Sequence, residues 1–426
     1  MVLVQDTAPY IRYSIQNIDF TASPGTSLER HITGNGTYIR FEEFAILQDM
    51  DLCVQVKDPY TNQAAYFTND TRLVARPFPL IQANLTQTNG TLLQTFSIQL
   101  FAAPVREIWF STALPFTATN RFSPTNKLGG GDLLSMAGRV VKRNTDLTGL
   151  LGVMPPTPPD LGLDALDITG KGEILFSLPV NVFSEKLGFI QHGDLLSNRG
   201  AIVKQNQDLL SAFKPASSFD AGLDAVQLMT NGEIFFSIQS NVVVNATLTL
   251  SRGDILSDRG QVVLSHQQLL ARFHPANTNY DYGLGSFCIL PSGEIWFSVE
   301  EGFDDQQLGK VQRGDLLSNL GYRVFSNQEL LAAFSPADPA LDYGLDALFV
   351  VTDMQPPRPP PQIVQQQVSG DVFHFEWDGT GAVFQIETTP ALSNPWVPCT
   401  PILPDLSSDA PIIPGQNSGF YRLRQW

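Results

Sequence analysis

The feature that most constrains this chain is a motif that returns at nearly fixed intervals. Segments of the form GD(L/I)LS place Asp132, Asp194, Asp254 and Asp315 at spacings of 62, 60 and 61 residues. A period that regular means stacked or ring-arranged units. The same register sets Glu107, Glu173, Glu233 and Glu294 at the head of EIWFS, EILFS, EIFFS and EIWFS.

The stretch Gly193 to Ser237 shows how one period is built. Leu223 to Leu228, then Thr230-Asn231-Gly232, then Glu233 to Ile238 reads as strand, tight turn, strand, because a polar pair ending in Gly supplies the positive φ a hairpin needs. Ile234 and Phe236 face one side of the second strand and Phe235 the other. The strand is thus apolar on both faces, as in a sheet covered on both sides. GDLLS followed by Gly200 and Ala201-Ile202-Val203 reads as a second hairpin. Asn206 is expected to cap a short helix carrying Leu209, Leu210 and Phe213, with Asp208 in its first turn and Pro215 ending it. The expectation is four short strands and one short helix in each period.

The count of pieces favours closure. Strands of the LDAL type start at Asp164, Asp224, Gly285 and Asp346. The last has no EIxFS after it, and the EIWFS at Glu107 has no LDAL before it. A ring pairs those two orphans and leaves no buried strand edge unsatisfied. The competing arrangement has Ser97 to Phe101 serving the first period, or the units stacking as an open solenoid.

At 426 residues the chain is long enough for several domains, and its 43% hydrophobic content with 28 Phe supplies a large core. Only 16% of residues are charged, and the net charge of -16 would repel phosphate backbones and anionic lipid. Nucleic acid is therefore excluded as a partner. No apolar run is long enough to span a membrane. MVLVQDTAPY lacks a basic segment followed by an apolar run, so no signal peptide is expected in this sequence. Cys53, Cys288 and Cys399 show no metal or redox spacing. Asn35, Asn69, Asn84, Asn89 and Asn245 stand in glycosylation sequons, which matter only in a glycosylating host.

The reading divides the chain into an N-terminal β domain over residues 1–95 (sandwich or jelly roll), a repeat region over 96–353, a proline-rich linker over 354–367 and a C-terminal β module over 368–426. In the first, Tyr10 to Phe20, Thr37 to Leu47 and Leu52 to Val56 are the expected strands. In the repeat region the run Met154 to Pro159 lengthens the first period. The linker's QPPRPPPQ is stiff polyproline II, so limited proteolysis is expected between Pro356 and Gln367. In the tail, Phe384 to Thr388 has the form FxIExT, Trp396 follows Ser393-Asn394, and the end reads Phe420 to Arg424, FYRLR. This tail resembles fibronectin-like modules appended to secreted bacterial proteins, which implies an extracellular accessory or sorting role.

The repeat, more distantly, resembles a hemopexin-type blade. Asp164-Ala165, Asp224-Ala225 and Asp346-Ala347 stand where that family opens its inner strand, and Phe176, Phe236 and Phe297 lie in the second strands. The period is longer, the third copy reads Gly285-Ser286, and the family's closing disulfide has no counterpart. The resemblance implies a mostly β fold with a four-unit β-propeller, about 60 residues per unit, and not haem binding.

No G-x-S-x-G, P-loop or dinucleotide motif is present, and the five histidines lack ligand spacing. The Asp and Glu that recur once per period are best explained by turns. Asp160 with Asp164, Asp220 with Asp224, and Asp342 with Asp346 put two carboxylates at one bend, which suits calcium, or else forms a structural Asx turn. Glu300, Glu301, Asp304 and Asp305 form the one acidic cluster outside the register: a solvated loop, or a general acid/base pair for glycoside cleavage. Tyr280, Tyr282 and Tyr343 are expected at the surface, where they could stack on sugar. The sequence thus supports a secreted or cell-surface, non-catalytic binding or scaffold protein taking protein or carbohydrate, with no cofactor beyond calcium. The alternative is a polysaccharide-active enzyme, a glycoside hydrolase or lyase, with its site at the propeller mouth or the 300–305 loop. Oligomeric state is not legible.

Overall fold

The computed structural model describes residues 105–119, 127–154, 160–291, 293–306, 308–352, 358–370, 372–392, 394, 396–412 and 419–426, and seven strands, as backbone, between residues 2 and 101. The chain divides into two compact parts, residues 1–107 with 352–355 and residues 108–351 with 356–426. In the first part, Arg12–Gln16, Arg40–Phe44 and Met50–Cys53 fall within or beside the expected strands. Val2–Gln5, Arg12–Gln16, Leu92–Phe101, Ile81–Gln87 and Met50–Cys53 make one antiparallel sheet, in that order. Residues 155–159, 353–357 and the sequons at Asn35, Asn69 and Asn89 lie outside the described residues.

The second part is mostly β, with antiparallel sheets and few, short helices. Ala225–Leu228 pairs with Ile234–Ser237, which pairs with Ile255–Ser257, which pairs with Gln261–Leu264. The strands starting at Leu166 and Ser286 head two further sheets of the same order. One sheet thus takes its GD(L/I)LS strand from the motif that follows its EIxFS, so the stretch Gly193 to Ser237 straddles two sheets. The orphan pieces join: Leu348–Thr352 pairs with Val105–Phe110 and completes the first sheet, with Leu133–Ser135 and Arg139–Lys142 beyond. Among the described residues no sheet closes on itself as a barrel.

One serine in each EIxFS strand ties its sheet to the next. Ser111 Oγ donates to Leu163 O at 2.8 Å, Ser177 to Leu223 O at 2.6 Å, Ser237 to Leu284 O at 3.2 Å, and Ser298 to Leu345 O at 2.7 Å. Leu345 leads into the strand that completes the first sheet, and the Ala347 N–H donates to Ser111 Oγ at 3.0 Å. The relay therefore returns to where it began. Apolar clusters lie between successive sheets. Leu175 and Leu195 of one meet Val226, Ile234 and Phe236 of the next, and Ala225 and Ile255 meet Phe287, Ile295 and Phe297.

Two expectations about the repeat are corrected. Each sheet has, besides its four strands, a two-stranded hairpin inserted after the EIxFS strand: Phe116–Thr117 with Lys127–Leu128, Val182–Ser184 with Gly188–Ile190, Val242–Asn245 with Leu248–Leu250, and Phe303–Asp305 with Gly309–Val311. These strands escape sequence detection because they are short and pair without the apolar alternation of a longer strand. Asn206, expected as a cap, lies inside the helix Asn206–Leu210, whose N-cap is Gln205. Its amide is buried and braces a bend instead, donating to Gly222 O at 3.2 Å and accepting from the Ala221 N–H at 3.0 Å. The repeated Asp194 accepts from the Gln191 and Asn206 N–H groups at 3.0 and 3.1 Å, closing a turn onto the helix start.

The C-terminal module is two three-stranded sheets around Phe375, Trp377, Phe384, Ile386 and Ala410. Its first strand, Gln362–Ser369, begins inside the stretch read as linker, and a turn at Gly370 (φ +60°) leads into the second, Val372–Asp378. The module is docked on the repeats. Val383, Ile402 and Trp426 share a buried cluster with Trp109, Ile168 and Ile174. The Lys171 N–H donates to Gly381 O at 2.8 Å, and Lys142 pairs with Asp405 at 2.6 Å. A Cβ on Gly172 would fall 1.5 Å from Pro404 O, so only glycine fits this turn; the equivalent Gly232 and Gly293 face open space.

This docking changes the expected outcome of limited proteolysis. A chain cleaved between residues 355 and 361 should keep its C-terminal fragment bound in size-exclusion chromatography. Trp426→Ala should lower stability to urea by about 3 kcal/mol and release that fragment; prompt separation of the unmodified fragments would contradict the apolar docking.

Candidate functional site

Three register positions converge on one cavity of about 260 Å³. The first lies just ahead of the LDAL-type strand, where Asp164, Asp224 and Asp346 line the cavity and Gly285 stands in the remaining copy. The preceding bend turns through a glycine with positive φ in each copy, 81° at Gly162, 77° at Gly222, 72° at Gly283 and 75° at Gly344. The second position follows the EIxFS serine by two residues and reads Ala113, Pro179, Gln239 and Glu300. The third precedes GD(L/I)LS, where Arg313 and Gly130 reach the lining.

The copies are not identical, and the difference compensates. Where Asp is replaced by Gly285, the same sheet supplies Glu300. A Cβ on Gly285 would lie 2.7 Å from Glu300 Oε1, so the missing side chain leaves the space in which that carboxylate sits. Four carboxylates thus face one cavity against a single guanidinium, Arg313, which stands 3.5 Å from Asp346. Gln239 Nε2 donates to Asp164 Oδ2 at 3.4 Å. Asp224 is 4% exposed, and its Oδ2 has no hydrogen-bond partner among the described residues.

Burial and repulsion by neighbouring carboxylates act together on the three aspartates. Asp164 and Asp224 are held well above the ordinary carboxylate pKa, first by desolvation and then by neighbouring carboxylates, Asp346 foremost for Asp164 and Glu300 for Asp224. Asp346 is raised to about 7 by burial and by Glu300, with Arg313 opposing. One turn of sequence deeper, Asp167, Gln227 and Cys288 share a register position. Asp167 accepts from Leu228 N–H at 2.6 Å, Gln227 brackets Ile289 through both its amide atoms, and the Cys288 thiol faces the Val350 backbone. Burial raises Asp167 to about 7 and the Cys288 thiol to about 12.

The residues singled out in the sequence separate. Asp160, Asp220 and Asp342 do not join their partners in the cavity lining. Each is committed to backbone N–H groups: Asp160 to Gly131 and Gly162, Asp220 to Gly193 and Gly222, Asp342 to Arg313, Gly314 and Gly344. Among the described residues, no group of three or more His, Cys, Asp or Glu is placed to hold one metal ion. Of the acidic loop, Glu300 alone turns to the cavity. Glu301 is exposed and bonds Arg252 and Tyr280; Asp304 is exposed; Asp305 is buried and accepts from the His274 and Leu308 N–H groups.

Surface placement holds for Tyr280, 41% exposed, and fails for the other two tyrosines. Tyr282 is buried against Phe303 at 4.8 Å and donates to Asn277 O; Tyr343 is buried against Phe116 at 5.2 Å and donates to Asp338 O. Their rings fill the gap between bend and inserted hairpin that the sequence reading did not contain. Gln239 and Arg313 were missed. The available signal was the column of unlike residues, Ala113, Pro179, Gln239 and Glu300, in an otherwise repeated frame.

No family model matches the chain, and no curated protein does. Among solved structures it is similar to the extracellular domain of BT3049, assigned to a hybrid two-component system of B. thetaiotaomicron, with 10% identity and a TM-score of 0.23 over 91% of this chain and 64% of that one. It is similar also to the extracellular domain of BT4673, assigned to a one-component system of the same organism, with 10% identity and a TM-score of 0.23 over 93% and 66%. A protein of unknown function from Bacteroides caccae gives 10% and 0.22 over 64% and 84%. The chain thus spans about two thirds of the length of the two extracellular domains.

The raised carboxylates make stability depend on pH. In the folded state Asp164, Asp224 and Asp346 keep protons that the unfolded chain has lost, so their contribution to stability is full below the ordinary carboxylate range and is lost as pH rises, through about 7 for Asp346. Asp224→Asn should raise stability at pH 8 by on the order of 1 kcal/mol and flatten the slope, while Asp167 keeps part of it. Urea denaturation at pH 5, 6, 7 and 8 measures both effects.

Proposed function

We propose that this chain is a non-catalytic binding domain of the cell exterior, built as a four-bladed propeller that takes its ligand at the mouth of the ring. What supports the propeller is the return of the serine relay to the first sheet, together with the completion of that sheet by Leu348–Thr352. A solenoid has no reason to bring its last strand back to its first unit. The observation that carries binding over catalysis is the origin of the cavity's carboxylates. Three of the four are register equivalents, and the fourth fills the space left by a glycine. General acid/base cleavage needs two carboxyl groups in unlike environments, whereas here burial pushes Asp164, Asp224 and Asp346 in one direction. An exterior location is supported by the low charged fraction of 16% and by the likeness of the tail to modules of secreted proteins. No helix among the described residues is long and apolar enough to cross a membrane.

Two measurements test the proposal. The protein should release no sugar from a panel of plant and bacterial polysaccharides, and Glu300→Gln should change nothing in that assay; release that vanishes in the variant would establish an enzyme. Ser298→Ala, which leaves the buried Leu345 carbonyl without its donor, should cost about 2 kcal/mol in urea and do so at the closure. A loss confined to the fourth sheet in hydrogen exchange, with Leu348–Thr352 still protected, would speak for an open array.

A further inference from the structure

The proposed binding reading leaves open what kind of ligand the mouth takes, and its atoms narrow the choice. Asp164, Asp224, Asp346 and Glu300 present acceptors, and Arg313 balances one charge of four. The remaining lining includes Ala113, Gly130, Gly162 and Pro179, which offer no charged side chain to a ligand. Asp224 Oδ2 is buried and has no hydrogen-bond partner among the described residues, a costly arrangement unless a donor arrives. The cavity is far larger than one water, whose share of liquid is about 30 Å³, and smaller than most drug-sized sites. A single hard cation requires six to eight oxygens at about 2.3–2.6 Å, and the described residues bring no three carboxylates that close. A ligand that spreads several N–H donors over separated acceptors fits better.

Resting on the binding reading above, we infer that the mouth takes a primary ammonium group, which carries three donors and one positive charge and would be seated between Asp224, Asp164, Asp346 and Glu300. The same chemistry is offered by a free alkylamine and by a lysine side chain. Binding should strengthen as pH rises from 5 to 8, because the cation favours the ionised form of carboxylates that are otherwise protonated there; Arg313 is the one facing group that opposes it.

Calorimetric titration at pH 8 tests this, with n-butylammonium chloride, N-acetyl-lysine methylamide, n-butanol, glucose and calcium chloride as separate probes. Expected are one-to-one binding of n-butylammonium, a tenfold or greater loss in Asp224→Asn and in Asp346→Asn, no loss in Asp304→Asn outside the cavity, and weaker binding at pH 5. Tighter binding of the lysine derivative than of butylammonium supports the inference with a protein side chain as source; the reverse order supports it with a free amine. Equal binding of n-butanol, calcium binding without amine binding, or amine binding unchanged in both cavity variants overturns it. Glucose binding that is lost in Asp224→Asn overturns the ammonium inference and leaves the binding-domain reading intact. Polysaccharide turnover overturns the reading itself.

Discussion

The structure of the repeats depends on a hydroxyl that reaches across a sheet boundary. Each serine of an EIxFS strand is fully buried and donates to a carbonyl of the sheet that follows. Apolar packing between sheets is non-directional and would tolerate sliding. A buried hydroxyl facing a buried carbonyl does not, because a slip leaves both unsatisfied. The serine thereby fixes the height of one sheet against the next, and with it the level at which Asp164, Asp224 and Asp346 stand.

That fixed level explains how an altered repeat can be tolerated. The third LDAL copy has Gly285 in place of a carboxylate, and a residue fifteen positions on supplies one through Glu300. Exchange between two columns is possible because both point into one space. Copies that look degenerate along the sequence are complementary in three dimensions.

Much of this was legible in the sequence, and the rest was hidden for physical reasons. The hairpins around Gly200 and Gly232, the turn role of Asp194 and the pairing of the orphan strands follow from glycine position, apolar runs and the need to satisfy a strand edge. The inserted hairpins are too short to announce themselves. The division of labour within Asp220 and Asp224 was also hidden, since both look equally suited to a turn until backbone N–H groups claim one of them. Tyr282 and Tyr343 were misjudged because the element that buries them was not foreseen. The docked module ran against composition: proline predicts a spacer, but spacing ends where Gly172 lets the Pro404 carbonyl approach.

The completion of the first sheet by Leu348–Thr352 has a consequence for how the chain comes to be folded. The Ser111 to Ala347 contact joins residues 236 apart in sequence, so during synthesis the first sheet waits with an unpaired edge until nearly the whole repeat region exists. Contacts of such separation form late and slowly, and an edge left open in that interval accepts any strand of matching pattern. A strand delivered by a neighbouring molecule satisfies it as well as one from the same chain. High concentration during refolding therefore favours exchanged, strand-swapped dimers over monomers.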